Sequence, residues 1–82
     1  MDKGVRLKVR KELDGKQQFK IIKLKGRLIS KGYTQIIHIL DHDAEFHVNS
    51  FDIGNGTGIE VREFIAAFIA REELEDSISI LS

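Results

Sequence analysis

The first residues of the chain alternate between apolar and basic side chains. Within residues 5–11 the apolar Val5, Leu7 and Val9 occupy every second position, which is the two-residue period of a strand with one buried face. The positions between them are basic, so their side chains would project together from the opposite face. These cations are Arg6, Lys8 and Arg10.

A less regular pattern follows the turn dipeptide Asp14-Gly15, a pair of residues typical of tight hairpin connections. Residues 18–29 carry apolar side chains at Phe19 and Ile21 and then change phase. We interpret the change as a β-bulge near Ile21. This interpretation predicts an N-terminal hairpin whose outer face carries six cations, namely Arg6, Lys8, Arg10, Lys23, Lys25 and Arg27.

Residues 33–40 fit two different structures. The spacing of their apolar side chains suits a short helix, whereas their β-branched content favours a strand. A four-residue loop at 41–44 would make a second hairpin, with Ile39 beside Phe46 on the core face and His38 opposite His47 on the other. We favour this hairpin and keep the short helix as the alternative.

The strongest helix signal lies in the second half of the chain. Thr57 and Glu60 have the spacing of a capping box, and an apolar stripe with helical spacing follows over residues 61–69. We interpret the glycine-rich segment 54–58 as a turn into this helix. A phosphate-binding loop is the alternative, but no lysine follows the glycines.

The helix is predicted to run from residue 58 to about residue 75, and residues 77–82 are predicted to form a short last strand. That strand would complete the domain's own sheet or, alternatively, add to the sheet of another chain. The sequence therefore predicts an α+β fold. Its antiparallel sheet of four to five strands would be a β-meander, covered on one face by this single amphipathic helix.

Composition agrees with one small folded domain over residues 1–82. Hydrophobic residues make up 41% and charged residues 32% of the 82 positions, and cysteine is absent. A chain of this size has material for one core. No apolar run approaches the roughly 20 residues that span a bilayer, and the N-terminus has no secretory pattern. We therefore expect no membrane association and a cytoplasmic location.

The net charge of zero hides a division along the chain. Residues 1–32 hold eleven Lys and Arg against three acids, a net +8, and residues 33–82 hold two against ten, a net −8. A basic segment of this kind attracts anionic partners, and two such chains could also pair in an antiparallel homodimer.

These features favour binding over catalysis. No hydroxyl or carboxylate pattern matches a known catalytic arrangement, and we expect no enzyme activity, no cofactor and no small-molecule substrate. The leading hypothesis is a regulatory binding module whose basic hairpin engages an anionic partner. Nucleic-acid backbone is the first candidate, with weak sequence preference because no aromatic side chain is expected among the cations.

The alternative is a protein-binding inhibitor or adaptor, of the compact kind often made by phages and mobile elements, that works through either charged half of the chain; an acidic protein surface would be the partner of the basic half. The histidines of the chain suggest a third hypothesis, which concerns metal binding or a response to pH. His38 and His47, with His42 and Glu45 nearby, could bind a divalent metal ion or form a pH-sensitive pair. Ordinary surface histidines explain the same pattern, and we assign no metal site.

Overall fold

The computed structural model describes residues 4–54 and 57–81 of the chain. Six elements follow one another in the order strand, helix, strand, strand, helix, strand. They are β1 (Gly4–Arg10), α1 (Gly15–Ser30), β2 (His38–Asp41), β3 (Phe46–Asp52), α2 (Gly58–Arg71) and β4 (Ile78–Ile80).

The strands form one four-stranded sheet in the order β2-β3-β1-β4, and every neighbouring pair is antiparallel. This order interlocks two split β-α-β units, the topology called ferredoxin-like. The predicted α+β class and the four-stranded antiparallel sheet are confirmed. The predicted meander is wrong, because β1 lies between β3 and β4 and not beside the strand that follows it in sequence.

The predicted return strand at residues 18–29 is also wrong, because these residues belong to helix α1. Asp14 is the N-cap of this helix and not part of a hairpin turn: the Gln17 N–H donates to Asp14 Oδ1 at 2.7 Å. Three buried side chains then follow at helical spacing, namely Ile21, Leu24 and Leu28. The change of phase near Ile21 is therefore the period of a helix and not a bulge.

Both helices pack on the same face of the sheet. Val5, Leu7 and Val9 of β1 join the buried side chains of α1 and the apolar stripe of α2 in one core. The sequence predicted a single helix on this face, whereas the described residues form two. The stripe of α2 consists of Val61, Ile65, Phe68 and Ile69. Within residues 4–54 and 57–81, no helix is both long and apolar enough to cross a bilayer.

The ends of α2 agree partly with the prediction. Thr57 caps the helix as expected, since its hydroxyl accepts from the Glu60 N–H at 3.0 Å. The helix ends at Arg71 and not near residue 75, because Glu73 adopts the left-handed conformation with φ 56°. The Leu74 N–H then donates to the Ile69 carbonyl at 2.9 Å, which closes a Schellman-type cap.

The second hairpin, β2–β3, is confirmed, but its predicted register is wrong. Ile39 pairs with Asn49 and not with Phe46. The Asp43 carboxylate accepts from the N–H groups of Glu45 and Phe46 at 2.8 and 2.9 Å, which fixes the turn later in the chain than expected. The shift in pairing moves Phe46 to the sheet face opposite the helices.

The last strand, β4, completes the domain's own sheet, which is the first of the two alternatives that the sequence leaves open for it. Leu7 pairs with Ile80 and Val9 with Ile78. The Arg10 N–H also donates to the Ser77 carbonyl at 2.8 Å. With β4 on one side and β3 on the other, the basic strand β1 occupies the middle of the sheet.

Candidate functional site

The helix-free face of the sheet carries a central row of cations. Arg6, Lys8 and Arg10 alternate along β1 with the buried Val5, Leu7 and Val9. Because successive side chains on one face of a strand are about 6.6 Å apart, the row extends about 13 Å along the middle of the sheet. Half of the basic site expected from the sequence is therefore present as a contiguous row.

The side chains paired with this row across the ladders are uncharged. Arg6 pairs with Ser50 of β3, and Lys8 pairs with Val48 of β3 and Ser79 of β4. Acidic side chains border this face at its ends, where Asp52 pairs with Gly4 and where the Asp43 carboxylate interacts electrostatically with Lys8. Like charges repel one another along such a row unless an anion lies across them.

An aromatic ring lies among these cations. Phe46 pairs with Arg10 in the β1–β3 ladder and is half-buried. The Lys8 Nζ lies 4.3 Å from the centroid of its ring, and the Arg10 Cζ lies 5.6 Å from it. The sequence prediction placed Phe46 in the core and expected no aromatic side chain in this row, and the observed register corrects both points.

Arg10 is held in place by a second contact. Its Nε and Nη2 donate to the Asp76 carbonyl at 3.3 and 3.2 Å. This pair of hydrogen bonds connects the guanidinium to the segment before β4. The group therefore presents its charge beside Phe46 in one orientation, which reduces the entropy that a ligand contact would cost.

Strand β2 extends the face beyond Phe46. His38 pairs with Ser50 and Leu40 with Val48, and both β2 side chains are exposed. His47 lies on the helix side of β3, since it pairs with the core-facing Val9. The predicted pairing of His38 with His47 is therefore wrong, because the two imidazoles lie on opposite faces of the sheet.

The structure gives no support to the metal alternative for the histidines. In the described part of the chain, no group of three or more His, Asp or Glu side chains is placed to hold a metal ion. The phosphate-loop alternative falls partly on residues 55 and 56, which lie outside the described residues.

The remaining cations of the predicted site lie elsewhere. Lys23, Lys25 and Arg27 belong to α1, which covers the other face of the sheet. Lys23 and Arg27 are exposed and lie on one stripe of the helix, whereas Lys25 lies about 160° around the axis from Lys23. The six cations therefore do not form one surface, because the segment is a helix with a period of 3.6 residues.

The sequence reasoning missed Phe46 and Leu40 as members of the site. The signal that could have placed them is Asp43, whose short carboxylate commonly closes a turn by accepting from N–H groups two and three residues later. Centring the hairpin on that turn reverses the face assigned to Phe46. Comparison of the chain with protein-family models, curated proteins and solved structures finds no match.

Proposed function

We propose that the protein is a non-catalytic binding module that holds single-stranded nucleic acid on the helix-free face of its sheet. The observation that carries the proposal is the half-buried ring of Phe46 beside Lys8 and Arg10, at one end of the β1–β3 ladder on a face with no helix from the described chain upon it. Phosphates would lie along the basic row, and one base would stack on Phe46.

The chemistry of each part supports this assignment. Cations that neutralise phosphates release counterions, which gives an affinity that falls as salt rises. An aromatic ring accepts any base by stacking, and sheet-based RNA-binding modules use aromatic side chains on such a face. The similarity to those modules is one of architecture, so the residues of this face have to carry the functional argument.

A single strand fits this face better than a duplex. Four strands at a spacing of about 4.8 Å make a surface roughly 15 to 20 Å wide, room for a few nucleotides with splayed bases. In a duplex the bases are already stacked on one another, and the ring of Phe46 could reach only the backbone. One aromatic side chain and three cations imply weak sequence preference.

Fluorescence anisotropy with labelled single-stranded RNA, single-stranded DNA and duplex DNA of equal length tests the proposal. We expect micromolar binding of the single strands that weakens as salt rises, with weaker binding of the duplex. In the double variant Arg6→Gln, Lys8→Gln, the slope of log affinity against log salt should fall by about 1.4, because two phosphate contacts are removed.

The matched control removes the same charge from the opposite side of the molecule. Lys23→Gln with Arg27→Gln changes two exposed cations of α1 and leaves β1 intact. We expect this control to bind within about twofold of the parent, since long-range charge effects are screened at near-physiological salt. Equal losses in both double variants, or no binding to any strand at low salt, would overturn the proposal and favour an acidic protein as the partner.

A further inference from the structure

A second feature of interest lies on the helix side of the sheet, away from the basic row. A cleft of about 260 Å³ separates α1 from strands β2 and β3. Its walls include Gln18, Ile22, Lys25, Ile39, His47 and Asn49. Helix α1 packs into the core through its buried side chains, and this cleft lies between its neighbouring, at least partly exposed side chains and residues of the three strands β1, β2 and β3.

Asn49 is the unusual member of this lining. It is only 2% exposed and lies on the helix-facing side of β3, paired with Leu7 on one side and Ile39 on the other. Its Oδ1 accepts no hydrogen bond from any residue that the structure describes. Buried side-chain oxygens nearly always have a partner, so this acceptor on the cleft wall is available to a donor that enters the cleft.

The lining of the cleft combines apolar surface with three cations, Arg10, Lys11 and Lys25. Lys11 is paired with Asp41 and Arg10 donates to the Asp76 carbonyl, so Lys25 is the cation on which we base the site. Ile22 is 65% exposed and Ile39 is 59% exposed, and they come from the helix and the strand that face each other. Lys25 lies on the same side of α1 and is half-buried, and this burial lowers the pKa of its ammonium. An anion beside Lys25 would offset the cost of desolvating that charge.

We propose that this cleft binds a small amphipathic acid. Its apolar body would cover Ile22 and Ile39, its carboxylate would pair with Lys25, and a hydroxyl or N–H group would donate to the Asn49 Oδ1. The volume limits the ligand to a molecule smaller than a typical drug, since drug-sized ligands occupy pockets of roughly 300 to 1,000 Å³. This site lies on the opposite side of the sheet from the nucleic-acid face, and Arg10 is the residue that borders both.

The probe is 2-hydroxy-4-methylpentanoate, which joins a branched apolar group, a hydroxyl and a carboxylate. Titration into the ¹⁵N-labelled full chain should shift the amide resonances of Ile22, Lys25, Ile39 and Asn49 in a saturable way. Two comparators each remove one contact: 4-methylpentanoate lacks the hydroxyl, and 2-hydroxy-4-methylpentanamide lacks the charge. Both should bind about three to ten times more weakly.

Paired variants of α1 separate the cleft from general attraction to a basic helix. Lys25→Met keeps the aliphatic stem, removes the charge and should weaken the probe about three- to tenfold. Lys23→Met makes the same change on the other side of the helix and should leave affinity within about twofold. Because both positions are at least partly exposed on the helix surface, neither change should prevent folding.

The proposal is overturned if the probe causes only weak, unsaturable shifts spread over the surface. It is also overturned if Lys25→Met and Lys23→Met bind the probe equally, or if the uncharged amide binds as well as the acid. If the acid does not bind in the cleft, the nucleic-acid proposal still stands, because the anisotropy experiment measures binding to the opposite face of the sheet.

Discussion

The Lys8 ammonium lies 4.3 Å from the centroid of the Phe46 ring, although Val48, and not Phe46, pairs with Lys8 in the ladder. The two residues are diagonal neighbours, and a long side chain reaches that distance across a sheet. A cation–π contact at an exposed site is worth about 0.5 to 1 kcal/mol. A nucleobase could replace the ammonium on the ring at small cost, which would leave Lys8 to pair with a phosphate.

The first prediction separates stacking from charge at this position. Phe46→Leu keeps an apolar side chain but removes the aromatic ring, so the affinity for single-stranded RNA should fall about tenfold. The slope of log affinity against log salt should stay the same, because no phosphate contact is lost. Anisotropy titrations at several salt concentrations measure both quantities. A changed slope with unchanged affinity at low salt would show that Phe46 does not stack a base.

The second prediction tests helix α1, where the sequence had favoured a strand. Gly26 is exposed within the helix, and a Cβ there would meet no atom within 4 Å. Gly26→Ala should raise the free energy of unfolding by about 0.5 to 1 kcal/mol, because alanine loses less backbone entropy in a helix. Gly32 has φ 77° just after the helix, a conformation that alanine adopts only with strain. Gly32→Ala should therefore lower the free energy of unfolding by about 1 kcal/mol. Urea unfolding of both variants measures the contrast, and equal effects would contradict the helix.

The third prediction concerns the end of α2. Glu73 holds the left-handed conformation that glycine adopts without strain, at φ 56°. Glu73→Gly should therefore raise the free energy of unfolding by about 0.5 to 1 kcal/mol, and thermal unfolding followed by circular dichroism measures the change. Glu75→Gly is the matched control, because residue 75 lies outside this cap. If Glu75→Gly raised the free energy of unfolding by the same amount, relief of the left-handed conformation at residue 73 could not explain the effect of Glu73→Gly.

The fourth prediction is that acid lowers the free energy of unfolding because it protonates carboxylates at the β2–β3 turn. The N–H groups of Glu45 and Phe46 hold the pKa of the Asp43 carboxyl below its usual value of 3.8. A hydrogen bond and attraction from Lys11 lower the pKa of Asp41 in the same way. Groups with a lowered pKa stabilise the fold above the unfolded-state pKa, and this contribution disappears as the pH falls through the folded-state value.

The free energy of unfolding should therefore decrease between pH 5 and pH 2. Asp43→Asn keeps an acceptor for the two N–H groups and removes the titration, so its decrease should be smaller than that of the parent. Urea unfolding at a series of pH values provides the comparison. Parallel pH profiles for the two proteins would show that the turn carboxylate does not contribute.

The fifth prediction follows from the unpaired oxygen of Asn49. A buried acceptor without a donor costs about 1 to 3 kcal/mol, and leucine has nearly the same shape without that group. In the absence of ligand, Asn49→Leu should raise the free energy of unfolding by about 1 kcal/mol. It should also remove the preference for the hydroxylated acid over 4-methylpentanoate. A large loss of stability would indicate that the amide is already satisfied within the fold.

The sequence alone determined those elements whose signals are local. The alternation along β1 identifies the strand and the outward direction of Arg6, Lys8 and Arg10, because neighbouring side chains of a strand must point to opposite faces. Thr57 identifies the start of α2 through its own hydroxyl. The signals for α1 were also present in Asp14, followed three residues later by Gln17, and in Gly32, but its mixed apolar spacing was mistaken for a bulged strand.

Tertiary structure decided which of these elements became neighbours. Strand β1 pairs with β3 and β4, which are about 40 and 70 residues away in sequence, and no local pattern encodes such pairings. The register of β2–β3 placed Phe46 beside the cations, since a shift of one residue exchanges the two faces of a strand. The basic row is thus a property of the sequence, while its aromatic partner and the cleft at Asn49 exist only because separate segments pack together.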